Sequence, residues 1–152
     1  REGRFQVIWQ TGKYYEREMD EFMRGRDARG IWRGAFIERM DLAYAAADVV
    51  VARSGAGTVS ELCLVGKAVV FVPSPNVAED HQTKNAMALA DRGAALVVPD
   101  REAVARVFSE AGRLLADDAM RSEMEKNIRA LAVADSADRV ADEILKVVKR
   151  SE

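Results

Sequence analysis

The fold is decided by eighteen residues that read VVVARSGAGTVSELCLVG (residues 49–66). The run VVVAR is apolar and β-branched without polar alternation, which is typical of a strand that is covered on both faces of a parallel sheet. Small residues follow, and the remainder up to Gly66 has the composition of a helix that ends on glycine. We therefore expect a strand, a tight turn, and then a helix that covers residues 58–65.

The same alternation extends in both directions from this stretch. Apolar β-rich runs predict strands, and periodic apolar residues between charges predict helices. Asp100 is a predicted N-cap for the first of three consecutive helices. The order predicts an α/β fold, a doubly wound Rossmann-like parallel sheet with helices on both faces. The predicted strands are 5–11, 31–33, 49–53, 68–72 and 94–98, and the predicted helices are 14–24, 38–47, 58–65, 80–92, 101–116, 118–132 and 136–149.

Composition excludes several classes of protein. The chain has 152 residues and a net charge of −2, which suits a single domain over 1–152 and gives no electrostatic drive towards nucleic acid. Cys63 is the sole cysteine, so an intrachain disulfide framework and a multi-cysteine zinc site are excluded. Histidine-based metal sites are disfavoured because His81 is the sole histidine.

The first candidate site is the turn after the predicted strand 49–53. Unpaired N–H groups at a helix start suit a phosphate or diphosphate, and small residues let a ligand approach the backbone. Glu61 could accept hydrogen bonds from the vicinal hydroxyls of a ribose. The alternative is a purely structural turn in which Thr58 and Glu61 form a capping box. The loop residues concerned are Ser54, Gly55, Ala56, Gly57 and Thr58.

Two further segments lie after predicted strands. Gln82 and Asn85 are three residues apart at the start of a predicted helix, and carboxamides suit sugar hydroxyls. The alternative there is an ordinary first turn capped by Asp80. The segment 34–37 with Met40 could form an apolar ledge for a nucleobase, or could equally consist of core residues.

Taken together, these segments resemble the C-terminal domain of MurG-type glycosyltransferases. The resemblance is carried, in order, by RSGAGTVSEL, AVVFVPSP, EDHQTKNAMAL and GAALVV, with WQTGK and FIERMDLAYAAADVVVARSG upstream. That family transfers GlcNAc from UDP-GlcNAc to undecaprenyl-pyrophosphoryl-MurNAc-pentapeptide, the lipid I acceptor, in peptidoglycan synthesis. The fold it implies is the C-terminal half of a GT-B enzyme.

The resemblance also implies roles for individual residues. Glu61 would bind the ribose hydroxyls, and Gln82 and Asn85 would hold GlcNAc. The loop from Ser54 to Thr58 would lie near the diphosphate. Uracil would meet the backbone near Ile37, with Phe36 and Met40 around it. Arg53 belongs to the motif but has no assigned role. Arg53 and His81 are the two remaining possible site residues.

By the same resemblance, the other half of the enzyme is expected to lie outside this chain. That N-terminal domain carries the acceptor site and the catalytic base of an inverting displacement, so no catalytic residue is expected in this chain, and the chain alone is not expected to turn over. No cofactor and no tightly bound metal are implied. The expected location is cytoplasmic, with the full-length enzyme peripheral on the inner membrane.

The first strand and the glycine loop of such a domain are also expected to lie outside the chain. Two sheet edges would then face a gap, which predicts self-association. Three alternatives remain: a donor subunit that works with a separate acceptor subunit, half of a UDP-GlcNAc 2-epimerase, and a non-catalytic nucleotide-sugar-binding module.

Overall fold

A computed structural model describes residues 5–75 and 80–149, without the side chains of residues 136, 137 and 147–149. All the predicted strands and helices are present, most with slightly shorter bounds. The strands are β1 (Val7–Gln10), β2 (Ile31–Gly34), β3 (Val49–Ala52), β4 (Ala68–Phe71) and β5 (Leu96–Val97), and the helices are α1 (Glu16–Met23), α2 (Met40–Ala46), α3 (Ala56–Val65), α4 (His81–Ala90), α5 (Ala103–Ala116), α6 (Asp118–Arg129) and α7 (Ser136–Lys149).

The chain divides into two compact units between Ala46 and Ala47, whereas the sequence predicts a single domain over 1–152. The first unit contains β1, α1, β2 and α2. Its two strands are parallel, with Val7 opposite Ile31 and Gln10 opposite Gly34. The second unit contains β3 and everything after it.

The sheet of the second unit is parallel and has the order β3-β4-β5. All four residues of β4 are buried, so both faces of this central strand are covered. On one face, Val70 packs in a buried cluster with Leu114 of α5 and Met124 of α6. The apolar run 68–72 predicted this double coverage of β4. The same expectation for the run 49–53 is wrong, because no residue of β3 is buried and Val51 is half-exposed at the outer strand of this sheet. The expected parallel α/β class is confirmed.

Strand pairing falls into two groups. Within residues 5–75 and 80–149, β1 and β2 form a two-stranded sheet, and β3, β4 and β5 form a three-stranded one. The sequence predicts a parallel sheet interrupted where a first strand lies outside the chain, and two separately paired groups of strands are consistent with that interruption. Hydrogen-bonded pairing between strands is a tertiary property, and the alternation of strands and helices does not specify it. In the described part of the chain, no helix is long and apolar enough to cross a membrane.

Candidate functional site

The carboxyl ends of β3, β4 and β5 meet at one edge of the sheet. The ladder continues past the strands at this edge, since the Val72 amide donates to Ala52 O over 2.9 Å and the Val98 amide donates to Phe71 O over 2.9 Å. Ligands of open parallel sheets bind at this edge. The segments after β3 and β4 are the ones in which the sequence placed the diphosphate loop and the carboxamides.

Helix α3 begins at Ala56, two residues before the predicted start. Gly55 is its N-cap, in an extended conformation and without a side-chain hydrogen bond to the helix. The capping box proposed for Thr58 and Glu61 is therefore wrong, because Thr58 is the third residue of the helix and not its cap. The first amides of α3 consequently lack a side-chain cap, which is the arrangement that suits an anion.

Two glycines at this helix start have no close neighbour among the described residues. A Cβ atom added to Gly55 or to Gly57 would meet no described atom within 4 Å, and neither residue has a positive φ. Neither the backbone conformation nor the described neighbours therefore require glycine at these positions. Glu61 is exposed and lies four residues after Gly57, on the same face of α3. The Cα–Cβ bonds of a helix tilt towards its N-terminus, so the Glu61 side chain starts in the direction of Gly57.

Ser54 connects this loop to helix α4. Its side chain is fully buried, and its hydroxyl donates to Gln82 O over 2.8 Å. Asn85 Nδ2 donates in return to Ser54 O over 3.1 Å. The structure thus brings the predicted diphosphate loop and the predicted sugar-binding carboxamides together.

The two carboxamides are both held by backbone groups. Gln82 Oε1 accepts from the Ser74 amide over 2.9 Å, while Asn85 uses its amide nitrogen on Ser54. These bonds leave the Nε2 group of Gln82 as a donor and the Oδ1 atom of Asn85 as an acceptor. Sequence reasoning missed Ser74, which lies between Pro73 and Pro75 and carries no local signal.

Arg53 spans the loops that follow the three strands. Its Nη1 atom donates to Val72 O over 3.1 Å and to Pro73 O over 3.3 Å, and the guanidinium pairs with the Asp100 carboxylate. The prediction of Asp100 as an N-cap is wrong. A 3-10 turn over Asp100–Glu102 precedes α5, and Glu102 is the residue at the N-cap of α5.

The start of α4 also differs in detail from a simple cap. Asp80 stands at the N-cap with a φ of 52°, but its carboxylate accepts from the Thr83 hydroxyl over 2.6 Å and caps no backbone amide. His81 is the exposed first residue of the helix. Within the described residues, no group of three or more acidic, histidine or cysteine side chains is placed to hold a metal ion.

The candidate nucleobase residues lie in the first unit. Phe36 is 70% exposed, which contradicts the alternative of a core residue. The Ile37 amide donates to Gln10 Oε1 over 2.9 Å, and Met40 begins α2. Gln10, which the sequence analysis did not single out, therefore fixes the backbone at Ile37.

Comparison with known proteins identifies the family. The profile of the Glycosyltransferase family 28 C-terminal domain matches residues 1–140. The chain belongs to this family. Two curated relatives are similar to this chain, and both are named UDP-N-acetylglucosamine--N-acetylmuramyl-(pentapeptide) pyrophosphoryl-undecaprenol N-acetylglucosamine transferase. The protein from Parabacteroides distasonis is 48% identical over 95% of this chain and 39% of its own length, and that from Bacteroides thetaiotaomicron is 49% identical over the same shares.

Two solved structures are similar to this chain. The crystal structure of Acinetobacter baumannii MurG superposes with a TM-score of 0.81 at 32% identity, over 96% of this chain and 42% of that one. The glycosyltransferase VinC shares the fold, with a TM-score of 0.66 at 19% identity, over 97% of this chain and 42% of that one. The chain thus spans about two fifths of the length of the relatives it matches, and the fold is that of glycosyltransferases.

Proposed function

We propose that this chain binds the UDP-GlcNAc donor of a transferase that adds GlcNAc to a polyprenyl-diphosphate-linked MurNAc-pentapeptide. One observation carries the proposal: the start of α3 has no side-chain cap, no described residue lies within 4 Å of a Cβ built on Gly55 or Gly57, and Glu61 lies on the same helix face as Gly57. The names of the relatives supply the sugar and the acceptor.

In this proposal the helix start binds the donor's diphosphate. The amides of Ala56, Gly57 and Thr58, together with the partial positive charge of the α3 dipole, face the phosphate oxygens. These groups stabilise charge that develops on UDP as the bond to the sugar breaks, and this stabilisation needs no tightly bound metal. Because the α3 amides are fixed before the ligand arrives, little reorganisation accompanies binding.

The sugar and the nucleoside are read by side chains and backbone. Glu61 accepts hydrogen bonds from the ribose hydroxyls, Gln82 donates to a GlcNAc hydroxyl and Asn85 accepts from one. The exposed ring of Phe36 and the backbone at Ile37 provide the contact for uracil, with Met40 beside them. Inverting displacement by the acceptor hydroxyl then requires a general base, which we place outside this chain.

The acceptor determines where the whole enzyme would work. A polyprenyl diphosphate is anchored in a membrane, and UDP-sugars are cytoplasmic metabolites. We therefore propose a peripheral enzyme at the cytoplasmic face of the bacterial inner membrane, in which this chain supplies donor binding and other parts of the enzyme supply the acceptor site.

Titration calorimetry of the 152-residue chain tests the proposal. We expect saturable binding of UDP-GlcNAc and UDP, weaker binding of ADP, and unchanged affinities after addition of EDTA. Equal affinity for ADP and UDP would contradict the uridine assignment. Loss of binding in EDTA would contradict the metal-free diphosphate site.

A further inference from the structure

The guanidinium of Arg53 holds the backbone on which Gln82 depends. Arg53 bonds to the carbonyl groups of Val72 and Pro73, and the next residue, Ser74, donates its amide to Gln82 Oε1. The side-chain carboxamide of Gln82 is therefore oriented by a backbone segment that Arg53 holds in place. Three consecutive residues join the arginine to the carboxamide.

Asp100 in turn fixes Arg53. It follows β5, whereas Arg53 follows β3, so their ion pair spans the sheet across the end of β4. The pair is partly exposed, at 54% for the arginine side chain and 36% for the aspartate, so its own contribution to stability is small. The ion pair matters for geometry, because the Asp100 carboxylate restrains the long Arg53 side chain that donates to two carbonyl groups.

We propose that Arg53 and Asp100 are positioning residues for donor-sugar recognition. Asp100 orients Arg53, Arg53 holds the Val72–Ser74 backbone, and Ser74 fixes the orientation of the Gln82 carboxamide. Gln82 Nε2 then presents a donor to the sugar, whereas a rotated amide would present its oxygen. Neither member of the ion pair contacts the ligand. The proposal rests on the proposed function, in which Gln82 binds GlcNAc.

The chain offers a closely matched control for the ion pair. At the junction of α5 and α6, Arg121 Nη1 donates to Leu114 O over 3.2 Å and to Leu115 O over 3.3 Å, while its Nη2 atom pairs with Asp118 over 2.6 Å. Asp118→Ala therefore removes the same kind of ion pair from an arginine that also holds two consecutive carbonyl groups, without a link to Gln82.

The experiment compares the affinities of UDP-GlcNAc and UDP for Asp100→Ala, Asp100→Asn and Asp118→Ala by calorimetry, with melting temperatures measured in parallel. We expect Asp100→Ala to weaken UDP-GlcNAc roughly tenfold, the effect of losing one well-placed hydrogen bond, and to change UDP less than twofold. Asp100→Asn keeps an acceptor for Arg53 and should recover most of the loss. Asp118→Ala should change neither affinity.

Epistasis with Gln82 separates positioning from general destabilisation. In a Gln82→Ala background, Asp100→Ala should cause no further loss of UDP-GlcNAc affinity. Equal weakening of UDP and UDP-GlcNAc, additive losses, or unchanged affinity would overturn the positioning role while donor binding by the wild-type chain stands. Tighter UDP binding by Asp100→Ala would show that freed Arg53 contacts the diphosphate, and would also overturn it. A wild-type chain without affinity for either ligand would overturn the proposed function and this inference together.

Discussion

Replacement of Glu61 by alanine tests the ribose contact directly. The residue lies five positions after the first residue of α3, which places its Cα roughly 7.5 Å along the helix axis from the uncapped start. Because Glu61 is exposed and alanine is the best helix former, the free energy of unfolding should change by less than about 0.5 kcal/mol. Losing charge-assisted hydrogen bonds from the ribose should cost about 1.5–3 kcal/mol of binding, or roughly 10–150-fold in Kd for UDP.

A thermodynamic cycle with a modified ligand assigns that loss to the ribose. Calorimetry would compare UDP with 2′-deoxy-UDP on the wild-type chain and on Glu61→Ala. If Glu61 accepts from the 2′-hydroxyl, removing this hydroxyl should weaken binding to the wild-type chain and have little effect on the variant. Ser60→Ala, at the neighbouring exposed position, is the control and should keep wild-type affinity. Equal losses in the wild-type chain and the variant would refute the ribose contact.

Three other perturbations follow from the described contacts. Gly66→Ala should lower the free energy of unfolding by about 1–2 kcal/mol in urea melts. Gly66 ends α3 at a φ of 69°, and the Arg129 side chain occupies the position that a Cβ atom would take. Gly57→Ala is the control and should cause no such loss, because Gly57 has no positive φ. Burial raises the pKa of the Cys63 thiol, so the folded chain binds this proton more tightly than the unfolded chain does. The free energy of unfolding should therefore fall as pH rises above about 8.5, where the thiol of the unfolded chain ionises. Urea melts of Cys63→Ala should show a smaller decline. The wild-type chain should self-associate in sedimentation experiments through the edge of β3 that does not pair with β4. Val51 is half-exposed on that strand, and Val51→Lys should shift the chain towards monomer. A monomeric wild-type chain would contradict association through this strand edge.

The local elements were predictable because their signals are local. The β-branched run 49–51 and the apolar run 68–72 correctly predicted parallel strands, of which only β4 is buried, and Gly66 correctly marked the end of α3. The predicted start of α3 is two residues late because the helix begins with Ala56 and Gly57 after a glycine cap, and these small residues are equally typical of a turn. The alternative capping box at Thr58 and Glu61 has the right spacing, but the helix begins before it.

Asp100 shows a different limit of sequence reasoning. Aspartate after a proline and before a helical segment is a good N-cap signal, yet its carboxylate pairs with an arginine 47 positions earlier. The ion pair forms because β3 and β5 flank β4 and end at the same edge. Strand order is set by tertiary packing, so the partner of Asp100 could be found only after the sheet was known.

The carboxamides extend this argument from the fold to the chemistry of the site. The sequence indicated that Gln82 and Asn85 suit hydroxyl groups, but a free carboxamide presents donor and acceptor interchangeably. The structure removes this ambiguity, since Ser74 engages the oxygen of Gln82 and Ser54 engages the nitrogen of Asn85. One residue is left as a donor and the other as an acceptor. A sugar hydroxyl satisfies either, whereas a ligand that only accepts can satisfy Gln82 alone, so the backbone bonds favour hydroxyl-rich ligands over purely anionic ones at this point of the site.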